Sequence, residues 1–150
     1  MKKTKGLQYY EAVGRRKAAV ARVRLYIVKK DKSVTIDGMN IKAGEIFLNK
    51  KPIEQIFPTE GEKNRYVFAL RQSQNDNRFA IIIKTKGGGR VGQIEAISHG
   101  LARAIEKVDK ENYRPMLKKF GLLKRDARVR ERRKVGTGGK SRRAKQSPKR

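Results

Sequence analysis

The chain of 150 residues contains no cysteine, no tryptophan and a single histidine, His99. Without cysteine it can form neither a disulfide framework nor a thiolate metal site, and it has no cysteine nucleophile. One histidine excludes a zinc site built from several histidines. No carboxylate–histidine–hydroxyl spacing gives His99 a catalytic partner, and we interpret it as a residue that lies on the surface or contacts a binding partner. We therefore predict a protein that is not an enzyme and holds no metal.

Long apolar segments are also missing. No apolar run approaches the roughly 20 residues that a membrane-spanning helix needs. The first residues, MKKTKGLQYYEAVGRRK, lack the apolar core of a secretory signal. We expect a soluble, intracellular protein without a membrane partner.

Acidic residues are scarce, with 14 of them against 40 lysines and arginines, so the formal net charge is +26. A charge of this size repels itself unless a polyanion neutralises it. Nucleic acid is the natural counterpart, because phosphate contacts release condensed counterions. An anionic membrane surface is the weaker alternative. The length predicts one domain with appendages.

Two strands are predicted near the start, at residues 7–13 and 18–28, with the basic turn GRRK between them. In the second strand one face is apolar and carries Ala19, Ala21, Val23, Leu25 and Ile27. The opposite face carries Arg22, Arg24 and Tyr26. Since Arg15, Arg16 and Lys17 continue the basic face, we interpret it as a phosphate-contacting patch; a solvated face is the alternative.

The middle of the chain is harder to assign. The pattern predicts a short strand at 33–37 before an Asp-Gly turn, helical pieces within 43–57 and a polar loop at 58–64. Residues 65–72 and 78–85 read as a pair of strands. The unbroken apolar run at 79–83 predicts a central strand that is buried on both faces.

Two helices are predicted in the second half. Apolar residues recur at helical spacing from Ile94 to Val108, with Arg103 on the opposite side. Ala96, Gly100 and Ala104 form a stripe of small residues that would let another backbone approach closely. A second helix is predicted at 112–120, with Pro115 in its first turn and Gly121 at its end.

Between the buried strand and the first of these helices, Gly87, Gly89 and Gly92 have the spacing G-x-G-x-x-G. A dinucleotide site needs a further strand ending in an acidic residue, and none follows; a P-loop needs Lys and Ser/Thr where Gln93 and Ile94 stand. We therefore predict no cofactor. Bare N–H groups at a helix N-terminus, with Lys84, Lys86 and Arg90 nearby, favour an anion site for RNA phosphate. A turn needed only for chain geometry is the alternative, and both can hold.

The last thirty residues change character. Residues 121–150 hold 13 Lys/Arg and 2 acids, and no apolar residue larger than alanine follows Val135. Such a segment buries too little surface to offset the entropy of ordering, so we expect a tail that becomes ordered only on its polyanion. The predicted division is a globular domain at 1–121 and a basic tail at 122–150.

Several segments resemble the small-subunit ribosomal protein nine family of bacterial type. GGGRVGQIEAISHGLARAI at 87–105 is similar to the signature of that family. AVGRRKAAVARVRL is similar to its amino-terminal segment, and RPMLKKFGLLKRDARVRERRK and SRRAKQSPKR to its carboxy-terminal helix and tail. The resemblance covers nearly the whole chain in the same order.

The resemblance implies an α+β fold, a two-layer sandwich similar to the second domain of ribosomal protein five, with a long basic C-terminal extension. It implies a structural constituent of the small subunit, cytoplasmic or organellar, that binds the 3′ major domain of the subunit's RNA in the head, beside neighbouring head proteins. From the basic pattern and this resemblance, the predicted ribosomal-RNA contacts are Arg15, Arg16, Lys17, Arg22, Arg24, Lys84, Lys86, Gly87, Gly88, Gly89, Arg90, Gln93, Lys124, Arg125, Arg128, Arg132, Arg133, Lys140, Arg142 and Arg143. The resemblance places Lys149 and Arg150 at the anticodon stem-loop of the peptidyl-site transfer RNA.

One departure lies in the tail, where Ser147 and Pro148 stand in place of the family's usual aromatic and serine. Proline fixes φ and removes an N–H donor, which puts the geometry of the transfer-RNA contact in question.

Two other classes of function are alternatives to a ribosomal protein. A nucleotide-dependent or RNA-processing enzyme lacks a catalytic constellation, and an architectural DNA-binding protein fits the composition but not the signature.

Overall fold

A computed structural model describes residues 2–4, 7–28, 33–36 and 38–135. Its strands are β1 Lys2–Thr4, β2 Leu7–Arg16, β3 Ala19–Ile27, β4 Val34–Ile36, β5 Met39–Ile41, β6 Ile46–Leu48, β7 Lys51–Pro52 and β8 Phe79–Lys86. Its helices are α1 Ile53–Ile56, α2 Glu60–Gln72, α3 Arg90–Val108 and α4 Lys110–Lys119. The predicted α+β class is confirmed.

Six strands form one sheet in the order β1-β2-β3-β8-β6-β7, and β4 and β5 form a separate hairpin. Neighbouring strands are antiparallel except β6 and β8, which run parallel. Central β8 is buried on both faces from Phe79 to Ile83, as its unbroken apolar run predicts. The expected pairing of 65–72 with 78–85 is wrong, because β3 and β6 are the neighbours of β8.

The main core lies between the sheet and the helices. Ala21, Val23 and Leu25 of β3 are fully buried there, together with Ile94, Ile97 and other apolar residues of α3. The helical spacing predicted from Ile94 to Val108 is confirmed, and α3 begins four residues earlier, at Arg90. The predicted close approach is confirmed too, since a Cβ on Gly14 of β2 would lie 2.4 Å from the amide nitrogen of Gly100.

A smaller core covers part of the opposite face of the sheet. Tyr26 of β3 is buried there against Tyr9, with ring centroids 5.3 Å apart, under Ile36 and Ile41 of the β4–β5 hairpin. The predicted basic and partly aromatic face is therefore buried at its aromatic end, at Tyr26, and exposed at Arg22. On the helix-facing side Ile27, the last residue of β3, is 48% exposed and does not join the core as expected.

The segment from 43 to 72 differs most from its prediction. Two short strands, β6 and β7, precede the single helical turn α1, where only helical pieces were expected. From Glu60 to Gln72 the expected polar loop and strand form one helix, α2, which buries Tyr66, Ala69 and Leu70. Glu60 and Glu62 in its first turn interact favourably with the positive end of the helix dipole. These two acidic residues are the signal that could have indicated the helix.

The predicted second helix is present as α4 and begins at Lys110, two residues before the expected start. Asp109 caps it by accepting from the Asn112 N–H at 3.2 Å, which holds the pKa of Asp109 below its usual range. Pro115 lies in the interior of the helix and not in its first turn. Gly121 ends the helix as predicted, at φ +69°, with its N–H donating to the Lys118 carbonyl.

Candidate nucleic-acid interface

The glycine turn joins β8 to α3, as the sequence predicts. Gly87 and Gly88 have φ values of +74° and +68°, which residues with a Cβ adopt only at a cost. A Cβ on Gly88 would also lie 2.9 Å from the amide nitrogen of Ala19. Gln93 Nε2 donates to the Gly87 carbonyl at 3.2 Å, so the predicted contact residue Gln93 supports the turn. Geometry alone thus requires glycine at 87 and 88.

The same turn presents main-chain donors. Gly89 is the N-cap of α3, and its carbonyl accepts the first helical bond, from Gln93 N at 2.9 Å. The preceding N–H groups, of Arg90, Val91 and Gly92, have no acceptor within the helix by its geometry. A Cβ on Gly89 would meet no atom within 4 Å. Space for an anion therefore exists beside these donors, whose partial positive charge favours it.

Five of the predicted contact residues are exposed at this end of the sheet, and four of them share one face. The register places Arg22 opposite Lys84, and places both Arg15 and Lys86 opposite Val20. Lys17, at φ +49°, forms the turn between β2 and β3. We name Arg15, Lys17, Arg22, Lys84 and Lys86 the turn-end patch; all five are exposed. The β4–β5 hairpin covers the other end of this face.

Three other predicted contacts, all within the predicted globular domain, are already engaged by carboxylates. Arg24 donates from Nε to Glu11 at 2.8 Å and lies over the Tyr9 ring at 5.1 Å. Arg90 donates from Nε and Nη2 to the two oxygens of Glu62, at 2.5 and 2.8 Å. These hydrogen bonds hold the pKa of Glu62 below its usual range. Arg90 therefore does not add an unmatched charge to the glycine turn as expected.

Arg16, the third, holds the beginning of the tail. Its side chain is 13% exposed, donates to Glu95 and to the Arg128 carbonyl, and lies 3.2 Å from Asp126. The bonds from Arg128, with the charge of Arg16, hold the pKa of Asp126 far below its usual range. The residues beyond the predicted boundary at 121 thus continue along the globular part, where Leu122 and Leu123 pack against the main core.

His99 takes part in the same attachment. Its Nδ1 accepts from the Arg15 N–H and its Nε2 faces the Leu123 carbonyl, both at 3.3 Å. Burial lowers the pKa of His99, so the neutral ring that carries its proton on Nε2 satisfies both contacts. The ring thus joins β2 to the tail, a structural role in addition to the predicted surface or RNA-contacting one. Both partners are distant in sequence, and no local pattern indicates them. We name Arg16, Glu95, His99 and Asp126 the tail anchor.

In the tail the predicted contacts are exposed or lie outside the described residues. Lys124, Arg125, Arg128, Arg132 and Arg133 are exposed, with no helix or strand after α4 as far as Val135. Lys140, Arg142, Arg143, Lys149 and Arg150, with Ser147 and Pro148, lie outside the described residues.

Within the described ranges no three His, Asp or Glu side chains converge as a metal site would require. The described helices also include none with the length and apolarity to cross a bilayer.

Comparison with known proteins gives the same family as the sequence pattern. The sequence model of the family described as Ribosomal protein S9/S16 matches residues 14–150. The chain belongs to this family. Two relatives named small ribosomal subunit protein uS9, from Dehalococcoides mccartyi strains BAV1 and CBDB1, are each 41% identical to it over 128 residues. The match covers 85% of this chain and 86% of each relative.

Membership of the S9/S16 family makes this a structural ribosomal protein of the small subunit, and the prediction that it is not an enzyme is confirmed. The surroundings of the G-x-G-x-x-G motif also differ from those of a dinucleotide-binding site. In a dinucleotide fold α3 would lead into a further parallel strand, whereas here it leads directly into α4. In this S9/S16 protein the glycines make a strand-to-helix turn that stands beside the turn-end patch.

Proposed function

We propose that this protein binds small-subunit ribosomal RNA in the head of the subunit, through the turn-end patch and the glycine turn. The observation that carries the proposal is the register of β2, β3 and β8, which brings cations from distant parts of the sequence onto one exposed face. Phosphate contacts need such a group of exposed cations, and main-chain N–H groups at a helix N-terminus add neutral donors.

The RNA would be the 3′ major domain, with other head proteins as neighbours and the ribosome of the cytoplasm as the location. The exposed tail cations Lys124, Arg125, Arg128, Arg132 and Arg133 would continue the contact away from the patch. Arg16, Arg24 and Arg90 are paired with carboxylates of the globular part, so we propose that they position the interface, while Arg128 pairs with Asp126 inside the tail. The likeness to the second domain of ribosomal protein five also stays a prediction.

The tail is proposed to carry a second contact, with Lys140, Arg142 and Arg143 on ribosomal RNA and Lys149 and Arg150 at the peptidyl-site transfer RNA. Extended chain spans roughly 3.3–3.6 Å per residue, so a tail that leaves the anchor at Arg128 can reach well beyond the globular part. The tail anchor supports this division, since it fixes the point from which the tail departs.

Co-sedimentation with small subunits through a high-salt wash tests the ribosomal contact. We expect the protein to stay with the subunits, while its affinity for the isolated RNA domain falls steeply with salt, as several phosphate contacts require. An affinity for that RNA that does not change with salt would contradict the proposal, and equal affinity for duplex DNA would favour an architectural DNA-binding protein instead.

Deletion of Gln146–Arg150 tests the tail separately. We expect assembly of the subunit to proceed, with weaker holding of transfer RNA at the peptidyl site, measured as faster dissociation. Loss of assembly would show that the tail serves the ribosomal-RNA contact, contrary to the proposed division.

A further inference from the structure

A groove of about 670 Å³ lies between α2, α3 and the first residues of the tail. Its volume is within the range of pockets that take small ligands. Phe68, Ile94 and Leu122 give it an apolar floor, and polar and charged side chains surround that floor. The tail anchor forms one wall, so the groove exists only while the tail is attached to the globular part.

The charges around the groove favour an anion. Five basic residues line it against two carboxylates, Glu95 and Asp126. Both carboxylates are engaged, since Arg16 contacts each of them and Arg128 also contacts Asp126. The cations in excess belong to two different segments, as Arg65 of α2 and Lys124 of the tail. Arg15 reaches the groove with its N–H, which donates to His99, while its side chain lies in the turn-end patch. A phosphate at the rim would therefore meet net positive charge on two sides.

The floor is suited to a flat ring. Phe68 packs edge-to-face on Phe120, with centroids 5.5 Å apart and planes at 85°, which holds its ring in place. Two polar groups on the wall can contact a base edge. Asn64 accepts from Arg71 at 2.8 Å through Oδ1, which leaves its NH₂ as a donor, and Ser98 supplies a hydroxyl. Ring, amide and hydroxyl are the partners with which proteins hold an unstacked base.

We infer that this groove binds one unpaired nucleotide of RNA, with its base on the apolar floor beside Phe68 and its phosphate at the rim of Arg65 and Lys124. The inference rests on the proposed RNA binding and adds a second site to it. The turn-end patch contacts backbone phosphate of any sequence, whereas the groove accepts only a base that has left its stack, because a paired base presents no free face.

Binding of two RNA probes to the full-length protein tests the groove. One probe is a short unpaired oligonucleotide carrying iodouridine, and the other is a duplex with the same number of phosphates. Phe68→Leu keeps the floor apolar and removes the aromatic ring, and it should weaken binding of the unpaired probe roughly tenfold while changing duplex affinity less than twofold. Arg65→Gln should weaken binding of the unpaired probe several-fold. Lys51→Gln, an exposed cation on β7 outside the groove, should affect both probes equally.

Photocrosslinking to the wild-type protein gives a readout that does not depend on a variant folding. The iodouridine should crosslink to Phe68 or to a residue beside it on the groove wall. The inference would be overturned if Phe68→Leu and Arg65→Gln weakened binding of both probes equally. Crosslinks found only at the turn-end patch would also overturn it, as would displacement of the unpaired probe by an acidic peptide of equal charge. Failure of the wild-type protein to bind ribosomal RNA in a salt-dependent way would instead remove the proposed function itself.

Discussion

Gly14 of β2 and Gly100 of α3 lie backbone against backbone, because a Cβ on Gly14 would come within 2.4 Å of the Gly100 nitrogen and 1.9 Å of the Ala96 carbonyl oxygen. These distances involve main-chain atoms, which cannot rotate away as a side chain can. The contact sets how closely α3 packs on the sheet. It thereby sets the position of the glycine turn relative to the turn-end patch.

Gly14→Ala should destabilise the protein by about 3 kcal/mol, because the added methyl group would force the helix away from the strand. Urea unfolding monitored by circular dichroism measures this. Gly61→Ala is the matched control, since Gly61 lies in α2 with no atom within 4 Å of the added Cβ. Alanine there should stabilise the helix by about 0.5 kcal/mol. Equal effects at the two positions would contradict the close contact.

Arg22→Gln and Arg24→Gln form a second matched pair, two positions apart on the same face of β3. Arg22 is exposed in the turn-end patch, so its loss should weaken RNA binding and reduce the salt slope by about one. Arg24 is part of an ion pair with Glu11, so its loss should lower stability and leave the salt slope nearly unchanged. Filter binding across a salt series distinguishes the two. A reduced salt slope for Arg24→Gln would show that Arg24 also contacts the RNA.

Asp126→Asn should loosen the beginning of the tail, because it removes the carboxylate that Arg16 and Arg128 share. We expect faster trypsin cleavage after Lys124 and Arg125 in the free protein, with the rest of the digestion pattern unchanged. Glu131→Gln removes an exposed carboxylate farther along the tail and serves as the control. Unchanged cleavage in Asp126→Asn would show that Arg16 holds the tail through the Arg128 carbonyl without help from the carboxylate.

The single histidine makes a pH prediction possible. Burial lowers the pKa of His99 in the folded protein below the value of about 6.5 that it has when unfolded. The unfolded chain then binds the proton first, so stability should be full above about pH 6.5 and should decline as the pH falls below that value. Denaturant midpoints between pH 7.5 and 5 measure this. His99→Gln should flatten the profile over that interval, and a slope that persists in the variant would assign the effect to other groups.

Some elements could be predicted because their signals are local. The run from Phe79 to Ile83 has no polar interruption, and Ile94, Ile97 and Leu101 recur with helical period, so each pattern fits one kind of element. Helix α2 was mispredicted because Tyr66, Phe68 and Leu70 alternate as in a strand, while Tyr66, Ala69 and Leu70 also satisfy a helix. Packing against α3 decided between the two, and packing is not contained in a local window.

The sequence by itself determined that the protein needs a polyanion as its partner, since a net charge of +26 depends on composition alone. It also determined the buried strand, the glycine turn and the helix after it. Only the tertiary structure decided which cations remain exposed for that polyanion. Arg16 meets Glu95 and Asp126, Arg90 meets Glu62, and His99 meets the backbone of Arg15 and Leu123, in each case across many residues of chain. The physical reason is that an ion pair or a hydrogen bond depends on distance in space, and sheet register and helix packing set that distance.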